Sequence, residues 1–180
     1  GSGPAAKFLR VKPRDFTAGS YKFRSTPSGS LPTDGDIFKT ISAGVRGTAM
    51  PSWYSLPERD RWAVVHYIKS FSERFREEAP EAPMYIAAAP TAEEKLLAEG
   101  AEVYKLAKCW ECHGTTGKGD GPSAETLTDD WDRKVRPPDF TLCIFKTGGS
   151  PQAIFRTMST GLNGSPMPSY LDSLSEEQRW

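Results

Sequence analysis

Apolar residues recur at helical spacing in five stretches of the chain, and nowhere do they alternate convincingly with polar ones. Ile37, Phe38, Ile41 and Val45 mark the first; Thr33 ahead of Asp36 has the form of a capping box, and Gly44 supplies the stop. Trp62, Val65, Ile68 and Phe75 follow at three- to four-residue spacing, predicting one long helix opened at Pro57. A proline is tolerated in a first turn, and Glu58 and Asp60 sit at its positive end. The charged stretch 72–78 reads as its solvated end. A third helix is predicted over 93–106, with Thr91 and Glu94 as a capping box and Leu96, Leu97, Val103, Tyr104 and Leu106 as its apolar face. Ser150-Pro151 opens a fourth, through Met158 and ended by Gly161, and Ser175 with Gln178 starts the last. The fold class predicted is all-α, with long Gly/Pro loops between helices. Loops of such length in a small domain imply disorder or a bulky object to wrap around.

The pattern also repeats. Ile37-Phe38-Lys39-Thr40-Ile41-Ser42-Ala43-Gly44 returns as Ile154-Phe155-Arg156-Thr157-Met158-Ser159-Thr160-Gly161, an offset of 117 residues. At the same offset Gly47-Thr48-Ala49-Met50-Pro51-Ser52-Trp53 matches Gly164-Ser165-Pro166-Met167-Pro168-Ser169-Tyr170. Arg61-Trp62 matches Arg179-Trp180 one residue out of register, and Pro13-Arg14-Asp15-Phe16-Thr17 matches Pro137-Pro138-Asp139-Phe140-Thr141. Gly1-Ser2-Gly3-Pro4-Ala5-Ala6 resembles Gly119-Asp120-Gly121-Pro122-Ser123-Ala124, although Gly-Ser-Gly also suits a cloning remnant. Ordered matches of this kind predict a duplicated domain. The expected organisation is a first repeat over 1–78, a Pro/Ala linker of semi-rigid character over 79–90, and a second repeat over 91–180. The first repeat then lacks the front of its unit and the second stops one turn into its last helix, so a window from a longer tandem protein is expected.

Composition narrows the classes of partner. With 23 basic and 23 acidic side chains the 180 residues carry no net charge, which argues against nucleic acid or an anionic membrane as the partner. No apolar run approaches the roughly 20 residues of a membrane span, and no charged-then-apolar signal opens the chain. Three cysteines cannot make a disulfide framework, and only His66 and His113 are available as imidazole ligands.

The chemistry is concentrated in Cys109-Trp110-Glu111-Cys112-His113, after the predicted helix 93–106. C-x-x-C-H is the attachment signature of c-type haem: two thiols at that spacing form thioethers with the two vinyl groups of one porphyrin, and the adjacent histidine supplies an axial nitrogen to iron. A zinc site would have only Cys143 and His66 to complete it. A thioredoxin-like pair would follow a strand, whereas this motif follows a helix. For the sixth position Met167 is the candidate, since a methionine between Pro166 and Pro168 is poorly placed for ordinary packing and Met50-Pro51 recurs in the equivalent loop. Met158, with Ile41 as counterpart, reads as core.

These motifs resemble class I c-type cytochromes in the tandem, dihaem arrangement of many bacterial electron carriers. The resemblance rests on Cys109, Cys112, His113 and Gly114, then Gly117-x-Gly119-x-Gly121-Pro122, the Pro137-Pro138-Asp139-Phe140 segment and Met167-Pro168. It implies cytochrome c-like helical domains in tandem, their N- and C-terminal helices crossing and their loops enclosing haem c. It also implies that the carbonyl of Pro122 accepts from the other ring nitrogen of His113, and that Met50 ligates a second haem, expected only if a segment carrying another C-x-x-C-H precedes residue 1.

The function implied is single-electron transfer between redox partner proteins by His/Met-ligated haem, in the periplasm, where c-type haem is attached. The alternatives are a cytochrome subunit of a larger metal oxidoreductase, or a catalytic dihaem enzyme of peroxidase-like or thiosulfate-oxidising type. The Met-Pro loops argue against the open axial position that catalysis would need. Weaker signals are read blandly. Cys143 is expected to be a buried free thiol, His66 a packed or surface residue, and Trp53 and Trp131 core in preference to packing on porphyrin faces. The clusters Arg10, Lys12, Arg14 and Arg133, Lys134, Arg136 are either propionate partners or solvated loops.

Overall fold

The structure is a computed structural model describing residues 2–180; Gly1, the first residue of one repeat match, lies outside the described residues. The chain divides into two compact units, Gly1–Met84 and Tyr85–Trp180. The described residues are helical or irregular throughout, with a single isolated bridge between Thr128 and Lys134 as the only extended pairing among them.

In the first unit α1 (Asp34–Ala43) and α2 (Glu58–Lys69) pack together. The capping box at Thr33 forms on both sides, Asp36 N–H to Thr33 Oγ1 and Thr33 N–H to Asp36 Oδ2. Ile37, Ile41 and Val65 make the core, with Tyr21, Phe38, Met50, Trp62, Ile68 and Phe75 against it. The expected single helix through Phe75 is interrupted. Around Ser70 the bonds tighten, with Phe71 N–H reaching Ile68 O and Ser72 N–H reaching Lys69 O, and a short α3 (Arg74–Glu77) follows. Arg74 accounts for the break, because its guanidinium donates to the carbonyls of Gly19 and Gly29 as well as to Glu78. Residues 81–84 lie along this unit through Glu81 N–H to Ser30 Oγ and Met84 N–H to Ser25 O.

In the second unit α4 (Glu94–Leu106) and α6 (Pro151–Thr160) both contact α7 (Glu176–Arg179). Ser150 and Ser175 cap α6 and α7 as the sequence predicts. Thr91 does not cap α4: the helix starts at Glu94, two residues too late for that geometry, and Thr91 instead accepts Glu93 N–H on its carbonyl. The apolar face of α4 is also less buried than its spacing suggests, Leu97 and Leu106 being 66% and 68% exposed.

Each unit ends its methionine-loop helix in the same way. Gly44 and Gly161 take φ of +68° and +63° with ψ near 180°, a region that essentially only glycine occupies. They also leave room for the returning loop. A Cβ on Gly44 would stand 2.5 Å from Pro51 C and 2.6 Å from Ser52 N, and one on Gly161 2.6 Å from Ser169 N. Gly44→Ala is therefore expected to destabilise the first unit by about 2–3 kcal/mol, strain and clash together. Gly35→Ala, inside α1 with only Thr33 Oγ1 at 3.7 Å, is expected to stabilise it by about 0.5–1 kcal/mol. Urea unfolding of both variants checks the pair; similar midpoints would show that the loop does not depend on that glycine.

Candidate haem site

The end of α4 sets up the motif. Lys108 turns left-handed at φ +54°, Cys109 N–H bonds Tyr104 O, and the chain re-enters a one-turn helix, α5 (Trp110–His113). Cys112 and His113 both donate backbone N–H groups to Cys109 O. In that turn Cys109 lies three and four residues before Cys112 and His113, so the three side chains share one face. Both thiols are free and half-buried. Burial pushes each thiol pKa up, for Cys109 against a lowering hydrogen bond from Tyr170 and for Cys112 reinforced by Glu111.

A helix of four residues cannot stabilise itself. Its last carbonyls are taken by the glycine loop that follows: Ser123 N–H to Glu111 O, Gly121 N–H to Cys112 O and Gly119 N–H to His113 O. Gly121 is required by contact, since a Cβ there would collide with the carbonyls of Trp110 and Glu111. Gly119, at φ +72°, lies against the next segment, where a Cβ would be 2.6 Å from Pro137 O and 3.0 Å from Pro138 O. Phe140 N–H bonds Gly117 O at 2.8 Å, and the Phe140 ring stacks on the His113 imidazole with centroids 4.6 Å apart. Tyr104 closes the arrangement from α4, its hydroxyl donating to Gly114 O at 2.6 Å.

His113 is half-buried, and burial lowers its pKa. The backbone of Pro138 opposes the lowering; proline has no N–H, so it acts through its carbonyl. Nδ1 is buried without a hydrogen-bond partner among the described residues. The proline that acts on the His113 ring is Pro138, where the sequence pointed to Pro122.

The methionine loop arrives from the other side. Leu162 N–H bonds Met167 O, Ser165 N–H bonds Leu162 O, Tyr170 N–H bonds Met158 O, and Ser169 Oγ donates to Ser159 O at 2.6 Å. Met167 is half-buried, and Tyr170, three residues on, has its pKa raised by burial and lies near enough to the attachment turn for Cys109 and Cys112 to raise it further.

The first unit repeats this loop bond for bond: Val45 N–H to Met50 O, Thr48 N–H to Val45 O, Trp53 N–H to Ile41 O, and Ser52 Oγ to Ser42 O at 2.6 Å. Arg61 donates to Ser42 Oγ and lies over Phe38, which stacks on Trp62; Arg179 donates to Ser159 Oγ and lies over Phe155, which stacks on Trp180. Met50 packs against the unit's own core, and the first unit contains no cysteine.

Other expectations are corrected. Cys143 is exposed, not buried, because it sits left-handed at φ +52° closing the 3₁₀ turn Phe140–Leu142. Trp53 is 44% exposed rather than core, and Trp131 is half-buried with Arg133 over its ring. Arg136 pairs with Glu125 at the surface. Among the described residues no three His, Cys, Asp or Glu side chains gather as a metal-binding group. Pro138 and Phe140 lay in a segment the sequence singled out and Tyr104 on a predicted helix face, but their positions around His113 were not foreseen. Two half-buried thiols and an imidazole on one face, with a buried ring nitrogen awaiting a partner, are the donor set that covalent haem c takes.

A cytochrome c family model matches residues 97–180, from inside α4 to the last residue. A chain of the Kuenenia stuttgartiensis reducing HAO-like protein complex is similar in structure with a TM-score of 0.98, at 45% identity over 99% of this chain and 82% of that one. No curated protein matches the sequence. With its attachment turn, histidine and all-helical fold, the chain belongs to the c-type cytochrome family, as a haem-bearing electron-transfer protein.

Proposed function

We propose that the second unit is a class I electron-transfer domain whose haem is held by Cys109 and Cys112 through thioethers and by His113 and Met167 through its iron. When bound, such a haem supplies reversible one-electron chemistry, and filling both axial positions favours electron transfer over binding of a substrate at iron. The observation that carries this reading is the attachment turn itself, in which Cys112 and His113 both donate N–H groups to Cys109 O and both thiols are free and half-buried. Phe140 fixes the imidazole plane by stacking, and the Pro138 backbone raises the ring's pKa against burial, an influence of the kind a carbonyl that orients a ligating histidine exerts.

We assign Met50 the same role toward a haem of the first unit, supported by the repeated loop, in a dihaem protein whose further C-x-x-C-H lies outside this sequence. We take the two units as duplicated domains, with 79–90 between the repeats. The similarity to a chain of a multiprotein complex supports membership of a larger oxidoreductase assembly rather than free diffusion alone. No helix among the described residues is long and apolar enough to cross a membrane. We place the protein in the periplasm because covalent haem attachment occurs there.

Met167→Ala is expected to abolish the weak far-red methionine–iron band and to lower the reduction potential by roughly 100 mV, the equivalent of an about 50-fold change in relative ferrous affinity at 59 mV per decade. An unchanged band would overturn Met167 as ligand, and high-spin features in the unmodified protein would favour the catalytic alternative.

A chain of this sequence is expected to carry one haem by pyridine haemochrome, lost in Cys109→Ser/Cys112→Ser and retained with the same spectrum in Met50→Ala. Two haems per chain, or a spectrum altered by Met50→Ala, would contradict the assignment.

A further inference from the structure

The chain as a whole is neutral, but its units are not. The unit Gly1–Met84 holds 13 basic and 9 acidic side chains, and Tyr85–Trp180 holds 10 basic and 14 acidic. Much of the basic excess falls in residues 7–14, which contain Lys7, Arg10, Lys12 and Arg14 and no acid. The structure folds this strip into a compact face. A 3₁₀ turn, Ala6–Phe8, begins it, and Lys12 Nζ donates back to Ala6 O at 2.9 Å and Lys7 O at 3.4 Å. Arg10 reaches Gly47 O at 3.5 Å, which sets the strip against the Met50 loop beside exposed Arg46.

Lys7, Arg10, Lys12 and Arg46 are all exposed, and none joins an ion pair among the described residues. Phe8 stands among them 79% exposed with the Lys7 ammonium 4.9 Å from its ring centroid, and Val11 adds apolar surface at 37% exposure. Unpaired cations of one sign steer encounter, and an exposed aromatic at their centre provides an anchor to bury. A protein partner suits this face better than lipid or nucleic acid. Those are extended anions with no pocket for the exposed Phe8 ring, whereas a protein offers a local acidic patch beside an apolar one.

We propose that the face formed by Lys7, Phe8, Arg10, Val11, Lys12 and Arg46 docks an acidic surface of a partner protein, beside the Met50 loop. The purpose, bringing a redox partner to that loop, rests on the electron-transfer reading; the docking does not.

The test uses the haem-loaded full chain and a fluorescently labelled decaglutamate peptide, with anisotropy read over a range of salt concentrations. Binding is expected at low ionic strength and should weaken steeply with salt. The charge-reversed variant K7E/R10E/K12E/R46E should lose about tenfold or more in affinity and most of the salt dependence. The neutralised variant K7Q/R10Q/K12Q/R46Q should fall between, which guards against a reversal that merely unfolds the unit. Reversing two exposed lysines of the other unit, K118E/K134E, should change affinity less than about twofold. Equal losses in the control and the reversed variant, or none in either, would overturn the proposal. So would tighter binding to phosphatidylglycerol vesicles than to the peptide, or salt-sensitive self-association by sedimentation that the reversal abolishes, which would make the occupant lipid or a second copy. Peptide binding does not read the iron, so a failed Met167 assignment and a failed docking face are told apart.

Discussion

Three backbone carbonyls at the end of a four-residue helix, those of Glu111, Cys112 and His113, receive N–H groups from Ser123, Gly121 and Gly119. Without them α5 would be one isolated turn, and each unpaired carbonyl would cost about 1–3 kcal/mol where water is excluded. With them, the turn bearing two thiols and an imidazole is tied to the glycine loop by main-chain bonds. The rest of the second unit is arranged around that capping. Glycine at 121 admits the close approach, glycine at 119 lets the Pro137-Pro138 carbonyls pack behind, and Phe140 N–H on Gly117 O carries the stacking ring to His113. The site is therefore built mostly from main chain, with the side chains placed by it.

That explains which parts of the site the sequence made legible. Cys109, Cys112 and His113 carry chemistry in their side chains at a fixed local spacing, so one short motif identifies them. The partner of His113 depends instead on a carbonyl, which every residue possesses, and the choice between Pro122 and Pro138 turns on how the intervening loop folds. The glycine N–H groups cap α5, and the carbonyl that acts on the imidazole belongs to Pro138, some 25 residues beyond it in the chain. Tyr170 and Tyr104 were missed for a related reason. Their hydroxyls act at contacts made by tertiary packing, and nothing in their immediate neighbours distinguishes them from core tyrosines.

Helix positions show the same division. The capping boxes at Thr33 and Ser175 are local, reciprocal bonds and form as their spacing implies. The break after α2 and the failure of Thr91 to cap α4 are decided elsewhere, by Arg74 reaching Gly19 and Gly29 and by α4 starting at Glu94. Apolar periodicity located the helices but did not set their burial. Leu97 and Leu106 lie on the expected stripe and remain exposed.

The methionine loops show how a candidate ligand can be positioned without reference to its metal. In each unit a serine on the helix accepts from a buried or half-buried arginine, while its backbone carbonyl accepts the hydroxyl of a second serine in the loop. That second serine follows the Met-Pro pair, so the arginine, helix and loop form one polar chain ending beside the methionine. The arginine is itself held between the serine and an aromatic ring, Phe38 or Phe155, that stacks on a tryptophan of the next helix or of its end. The first unit keeps every link of this chain although it contains no cysteine. The loop shape thus follows from glycine, serine and arginine contacts within the protein, the same in the unit that carries the cysteine motif and in the one that does not.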